Sequence, residues 1–244
     1  MRLGLGYIGV YGRRLADRFL SFFYPSHCPV CRNPSDTHIH SPICLSCWGT
    51  IERHRGPSCR VCAVPIVSSH ARLCGECLSR PPSFSSVLAY GLYSGTLREA
   101  VHLFKFRGIR RLGRPLGRLL CSLPVSEADM IVPVPLSKGR LRQRGFNQSL
   151  LLARSLSKDL GIHLSMDCLV KRRDTPPQTG LGANERVKNL KNAFETRGDV
   201  AGKRVILLDD VMTTGATVRE CAKTLARAGA GEIIVVVLAR SAFY

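Results

Sequence analysis

The sequence predicts an α/β protein in which a mainly parallel sheet flanked by helices follows a small, cysteine-rich, zinc-binding module. Three observations predict it. Four CxxC pairs crowd into the stretch from Cys28 to Cys77. From Val87 onward, short apolar runs alternate with helical patterns, the order that builds a parallel sheet with helical crossovers. The segment RVILLDDVMTTGATVRE, Arg204 to Glu220, then passes from apolar strand to acidic pair, hydroxyl-rich loop and helix.

Residues 1–25 read as an amphipathic helix whose apolar face carries Ile8, Leu15, Phe19, Phe22 and Phe23. Arg13, Arg14, Asp17 and Arg18 interrupt it and no small-residue cleavage site follows, so it makes a poor secretory signal. Its face suits docking, or weak contact with a membrane surface. No run approaches the ~20 apolar residues needed to span a bilayer, so no transmembrane segment is expected and the placement is cytoplasmic. GLGYIG at Gly4 to Gly9 matches a dinucleotide fingerprint in letters only, because no strand precedes it.

Residues 26–82 hold the paired cysteines Cys28/Cys31, Cys44/Cys47, Cys59/Cys62 and Cys74/Cys77. Two CxxC knuckles supply four thiolates in tetrahedral geometry, the usual structural zinc arrangement. Eight such ligands suit two Zn2+ ions; the alternative is one zinc and a relic pair. Sequential pairing of the knuckles and an interleaved cross-brace both fit the spacing. Cys121, Cys168 and Cys221 stand alone among apolar neighbours and read as core residues.

Residues 83–244, after the linker SRPPS, form the larger domain. Val87 to Tyr93 reads as a strand and Thr96 to Phe106 as a helix broken at Gly108. Beyond it Ile109, Leu112, Leu116 and Leu119 recur at helical spacing, as do Arg107, Arg111, Arg114 and Arg118. Ala128 to Pro133 is a short strand, Ser149 to Leu160 an amphipathic helix, and Ile162 to Leu169 contains another strand. Arg204 to Asp209 and Glu232 to Leu238 complete the inventory.

The acidic pair and the loop after it have a combined chemical use. A helix N-terminus has unpaired N–H groups and a partial positive charge, so it favours a phosphate dianion. Thr213, Thr214, Gly215, Ala216 and Thr217 add hydroxyls, amides and little bulk. Asp209 and Asp210 suit sugar hydroxyls, or a divalent cation brought by the ligand. The bland alternative is a buried strand followed by a helix that Thr217 and Glu220 close with a capping box.

The segment resembles the phosphoribosyl pyrophosphate (PRPP) motif of type I phosphoribosyltransferases. With the CxxC pairs, LFKFRGIRRLG, VPVPLSKGRLRQRGFNQS and KRRDTPPQTGLGANERVKNLKNAF, nearly the whole chain resembles the ComF family, linked to competence and DNA uptake. The resemblance implies a type I phosphoribosyltransferase fold behind a double zinc ribbon. It implies that PRPP, with Mg2+, binds at Asp209, Asp210 and Thr213 to Thr217. Leu136, Ser137, Lys138 and Gly139 match the pyrophosphate loop, and Thr175, Gln178, Arg186 and Asn189 match the flexible loop that closes over PRPP. No residue stands out as a general acid or base, and no acceptor pocket is readable.

The formal charge of +19 calls for a polyanionic partner or substrate. Arg107, Arg111, Arg114 and Arg118 form either a solvated face or a ridge for nucleic-acid phosphates, joined by Arg140, Arg142 and Arg144. The expected partners are PRPP, single-stranded DNA and the helicase or channel of a DNA-uptake machinery. The rival readings are an active phosphoribosyltransferase of nucleotide metabolism with an unknown acceptor, and a nucleic-acid-binding zinc protein with a vestigial nucleotide site. Metal analysis of the purified protein should give about two zinc ions per chain; no zinc, or iron in its place, would overturn the reading of the cysteines.

Overall fold

The computed structural model describes residues 27–34, 42–68, 70–125, 127–173 and 190–242. The helix expected over residues 1–25 and the loop residues Thr175, Gln178, Arg186 and Asn189 lie outside these. The chain divides into two compact units, Met1–Ile51 and Glu52–Tyr244.

The first unit contains one zinc knuckle pair. Cys28 N donates to Asn33 O, Arg32 N donates to Cys28 O, and Arg32 turns left-handed at φ 63°. Cys44 then starts the short helix α1 (Leu45–Gly49), which brings Cys47 inward. The second unit repeats this design on a different sequence. Cys59 N donates to Val64 O, Ala63 N to Cys59 O, Ala63 is left-handed at φ 54°, and Cys74 starts α2 (Gly75–Ser79). The dividing line between the units therefore falls between the two ribbons. Cys59, Cys62, Val64 and Cys77 share one apolar cluster with Val87, Met212, Ala216 and Val218 of the larger domain.

That domain is a five-stranded, all-parallel sheet. Its strands are β1 (Ser86–Leu92), β2 (Met130–Pro133), β3 (His163–Leu164), β6 (Arg204–Met212) and β7 (Glu232–Arg240), in the spatial order β1-β7-β6-β2-β3. A separate antiparallel pair joins β4 (Leu169–Lys171) to β5 (Phe194–Thr196). The strand expected within Ile162 to Leu169 is β3, only two residues long, and β4 begins at Leu169. Ser165 N still donates to Ile131 O, after which the chain leaves the sheet. β6 and β7 lie in the interior of the sheet, and their runs Val205–Leu208 and Val235–Ala239 are buried, as a parallel strand covered on both faces requires.

The crossovers are α3 (Gly95–Phe106), α4 (Gly113–Leu120), α5 (Lys138–Arg144), α6 (Gln148–Leu160) and α7 (Ala216–Arg227). α3 stops at Arg107, and Gly108 takes a φ of 67° that side chains disfavour. A 3-10 turn, Arg110–Leu112, leads into α4. Leu112, Leu116 and Leu120 form its buried stripe. α4 lies close on α6, because a Cβ on Gly117 would stand 2.4 Å from Ser155 Cβ. No helix among the described residues is long and apolar enough to cross a membrane.

Candidate functional site

β6 does not stop before its acidic pair. Asp209 pairs in register with Val237 and Met212 with Arg240, so pairing with β7 carries the strand through both carboxylates. The pair was expected at the strand end; it lies inside the last turn of the ladder instead. Asp210 is 4% exposed and Oδ1 accepts from Lys105 Nζ on α3 at 2.8 Å. Asp209 Oδ1 accepts from Ser149 Oγ on α6 at 2.8 Å and from Asp210 N at 2.9 Å. Burial, then the neighbouring Asp210 carboxylate, push the Asp209 carboxyl up to about 6, against the attraction of Lys105 and the Ser149 hydrogen bond.

The loop after β6 turns at Gly215, whose φ of 79° needs a residue without Cβ; a Cβ there would also meet Met212 Cε at 2.5 Å. Gly215 is the N-cap of α7 and makes no side-chain cap. The capping box that Thr217 and Glu220 offer is absent, since Glu220 Oε1 accepts from Asn192 N at 2.7 Å. Thr214 Oγ1 accepts from Ala216 N at 3.4 Å, and the remaining first-turn amides face the loop without a cap from Gly215.

The other wall rises from β2. Asn147 caps α6, accepting from Leu150 N and donating to Val134 O at 3.0 Å, and Phe146 is buried beside it. These contacts fix the turn Pro135 to Ser137 across from the acidic pair. A cavity of about 700 Å³ results. Asp209, Asp210 and Thr213 to Thr217 line it from one side, and Leu136, Ser137, Gly139, Arg140 and Arg144 from the other. Lys138 is not brought there. It opens α5 and lines a neighbouring cavity instead. Arg142 is exposed.

Arg107, Arg111, Arg114 and Arg118 are all exposed but do not share one helix. Arg107 caps α3, Arg111 lies in the 3-10 turn, and only Arg114 and Arg118 belong to α4. Gly108 is what divides them. Sequence reasoning missed Lys105, Gln148, Ser149 and Lys171 as cavity residues. All four lie in runs that carry the family resemblance, LFKFRG, RGFNQS and KRRD, but no local spacing singles them out, because the groups they face are far away in the chain. Gln148 is 2% exposed, and its Nε2 has no hydrogen-bond partner among the described residues.

The cysteines form two tetrads, Cys28/Cys31/Cys44/Cys47 and Cys59/Cys62/Cys74/Cys77, each with its sulfurs within 4.8 Å of one another. Sequential pairing is therefore the arrangement adopted. Backbone N–H groups point at the sulfurs, Cys44 N at Cys28 Sγ (3.4 Å) and Cys74 N at Cys59 Sγ (3.3 Å). Burial raises the Cys28 and Cys59 thiols, but the surrounding amides outweigh it and bring them down to about 6 and about 7. Burial, and with it the neighbouring sulfurs, pushes the Cys47, Cys62 and Cys77 thiols up instead; a cation among four such close sulfurs relieves that repulsion, so both tetrads fit zinc.

The raised Asp209 group yields a pH prediction. Its folded value of about 6 lies above its ordinary 3.8, so the folded state binds the proton more tightly and loses stability as pH rises from about 4 through 6. Asp209→Asn keeps the Oδ1 acceptor and removes that charge. It should be more stable than the parent by roughly 2–3 kcal/mol above pH 6, a gap that closes toward pH 4. Denaturant titration across that range measures it; a gap independent of pH would contradict the assignment.

Residues 19–78 match the double zinc ribbon domain and residues 147–242 the phosphoribosyl transferase domain. DNA utilization protein YhgH of Escherichia coli K12 is 36% identical over 226 residues, 89% of this chain and 98% of that protein. Competence protein F of Haemophilus influenzae is 36% identical over 90% of this chain and 99% of its own length. Competence protein ComFC of Bacillus subtilis is 31% identical over 77% and 79%. The parallel sheet, the acidic strand end with its hydroxyl loop, and the two cysteine tetrads are thus those of a phosphoribosyltransferase fold behind a double zinc ribbon, and the chain belongs to the ComF family.

Proposed function

We propose that the chain binds magnesium PRPP in the cavity at the end of β6 and acts in DNA uptake through contact with single-stranded DNA. The observation that carries the reading is one cavity with acceptors and donors for both halves of the ligand. The amides and hydroxyls of Thr213 to Thr217 take the 5-phosphate, and Asp209 and Asp210 take the ribose hydroxyls. Leu136, Ser137 and Gly139, with Arg140 and Arg144, take the pyrophosphate and its magnesium. The unpartnered Gln148 Nε2 adds a donor at the cavity wall. The names of the relatives, competence protein and DNA utilization protein, support the biological setting, and the cytoplasmic face of a membrane-bound DNA-uptake helicase or channel is the place where these ligands meet. The loop bearing Thr175, Gln178, Arg186 and Asn189 is assigned to cover PRPP, as in the family.

A second reading, an active phosphoribosyltransferase with an unknown acceptor, is favoured by Arg140 and Arg144 at the pyrophosphate side. These cations stabilise the charge that grows as pyrophosphate leaves.

Asp210→Ala and Thr214→Ala should each weaken magnesium PRPP binding at least tenfold, since a hydrogen bond to a charged group is worth about 1.5–3 kcal/mol. Calorimetry giving parental affinity for both variants would refute the site. Without an acceptor, pyrophosphate release should be negligible; rapid release with a purine base, a pyrimidine base or ammonia would establish the second reading.

For DNA, the candidate contacts are the exposed Arg107, Arg111, Arg114 and Arg118, with Phe106, 55% exposed, as a stacking surface beside Arg144. Single-stranded DNA binding should tolerate any sequence and fall steeply with salt. Reversing three of the four charges should weaken binding and flatten the salt slope, and an unchanged slope would return these arginines to a solvated face.

A further inference from the structure

Two arginines of the nucleotide-binding half reach into the second zinc ribbon. Arg240, at the end of β7, is 1% exposed. Its Nε donates to Cys62 O at 2.9 Å, and its Nη1 donates to Met212 O and Ser241 O, both at 3.0 Å, and to Thr213 O. One guanidinium therefore bridges the carbonyl of a metal-ligating cysteine and the carbonyls from which the Thr213 to Thr217 loop departs. Arg219, on the first turns of α7, makes the second connection. Its Nη2 approaches Cys77 Sγ at 3.6 Å, its Nη1 donates to Arg80 O at 2.8 Å, and its Nε lies 3.6 Å from Glu76 Oε1. The ribbon and the loop also share an apolar cluster through Cys62, Val64, Met212 and Ala216.

These contacts give the second tetrad a role in holding the loop. A buried guanidinium holds its geometry only while its carbonyl acceptors stay in place, since a lost partner leaves a desolvated cation. Cys62 O is held in place by the knuckle that Cys59, Cys62, Cys74 and Cys77 close. Arg219, in contact with the Cys77 sulfur, ties the same knuckle to the start of α7. The loop and the tetrad thus share one donor, Arg240, while Arg219 fixes the helix that follows the loop to the same knuckle, and what orders one orders the other.

We infer that zinc in the Cys59/Cys62/Cys74/Cys77 tetrad sets the conformation of the Thr213–Thr217 loop through Arg240 and Arg219, whereas the Cys28/Cys31/Cys44/Cys47 tetrad does not. Arg240 and Arg219 are positioning residues. Coupling is reciprocal, so a ligand held by the loop slows zinc loss from the second tetrad. This last consequence rests on reading that loop as the phosphate site; the coupling itself does not.

The test uses the full chain and two readouts, amide hydrogen exchange over Met212 to Thr217 and zinc release to a chromogenic chelator. Cys74→Ser should bind one zinc fewer and speed exchange of the loop amides about fivefold or more, the lower range of ordinary coupling. Cys31→Ser should also lose one zinc yet leave those amides unchanged. Arg240→Lys keeps all eight cysteines, so it should hold both zincs and still speed loop exchange; it carries the test if Cys74→Ser does not fold. Magnesium PRPP should slow release of one zinc of the two in the parent and not in Arg240→Lys. Parental loop exchange in Arg240→Lys would overturn the inference, as would equal effects of Cys31→Ser and Cys74→Ser. Failure of PRPP to bind the parent would sink the proposed ligand alone, because the exchange measurements decide the coupling without it.

Discussion

The ion pair between Lys105 and Asp210 is the contact on which the cavity depends. A carboxylate at 4% exposure inside a central strand carries a desolvation cost of several kcal/mol, and a partner 2.8 Å away offsets it. The partner is placed by ordinary helix packing. Leu97, Ala100, Val101 and Phe104 are buried along α3, and Lys105 follows directly after. Core burial upstream thus delivers a cation to the strand end. With Lys105 on Asp210, the adjacent Asp209 is left with a serine hydroxyl and a backbone amide, and burial beside the Asp210 carboxylate pushes its carboxyl up to about 6. Two neighbouring acids of the same type thus meet different partners, a lysine ammonium for Asp210 and a serine hydroxyl for Asp209.

What was legible in the sequence was what lies contiguous in it. Asp209 to Thr217 and the CxxC pairs are local arrangements, and their spacing carried the hydroxyl-rich loop and both tetrads into view. Lys105, Ser149 and Arg240 were not legible, because each gains its meaning from a partner distant in the chain. The extent of β6 was missed for a related reason. Two aspartates read as the end of a strand, but β7 continues to Arg240 beside them and supplies ladder bonds as far as Met212. The arginine spacing of four, three and four suggested one helical face. A single left-handed glycine, Gly108, overrides that periodicity. Lys138 lines the neighbouring cavity, a placement that spacing does not encode.

The ribbons show how little sequence a metal knuckle needs. Arg32 and Ala63 share no chemistry, yet both occupy the left-handed turn after the second cysteine of a CxxC pair. The turn is imposed by the hydrogen bonds of the preceding cysteine, Cys28 with Asn33 and Arg32, and Cys59 with Val64 and Ala63. Side-chain identity matters little where backbone hydrogen bonds fix the path, so the two ribbons share one turn geometry on different sequences.

Strand order has a consequence for synthesis on the ribosome. β1 ends at Leu92, and the strand it pairs with, β7, begins only at Glu232, so the sheet is closed by residues made long after β1. Until then, β1 and β6 each present an unpaired edge, and such edges invite association between nascent chains. The zinc knuckles face no such delay, because their ligands emerge close together. Translation therefore presents β7 with a finished ribbon, and Arg240, among the last residues of that strand, finds the Cys62 carbonyl already in place.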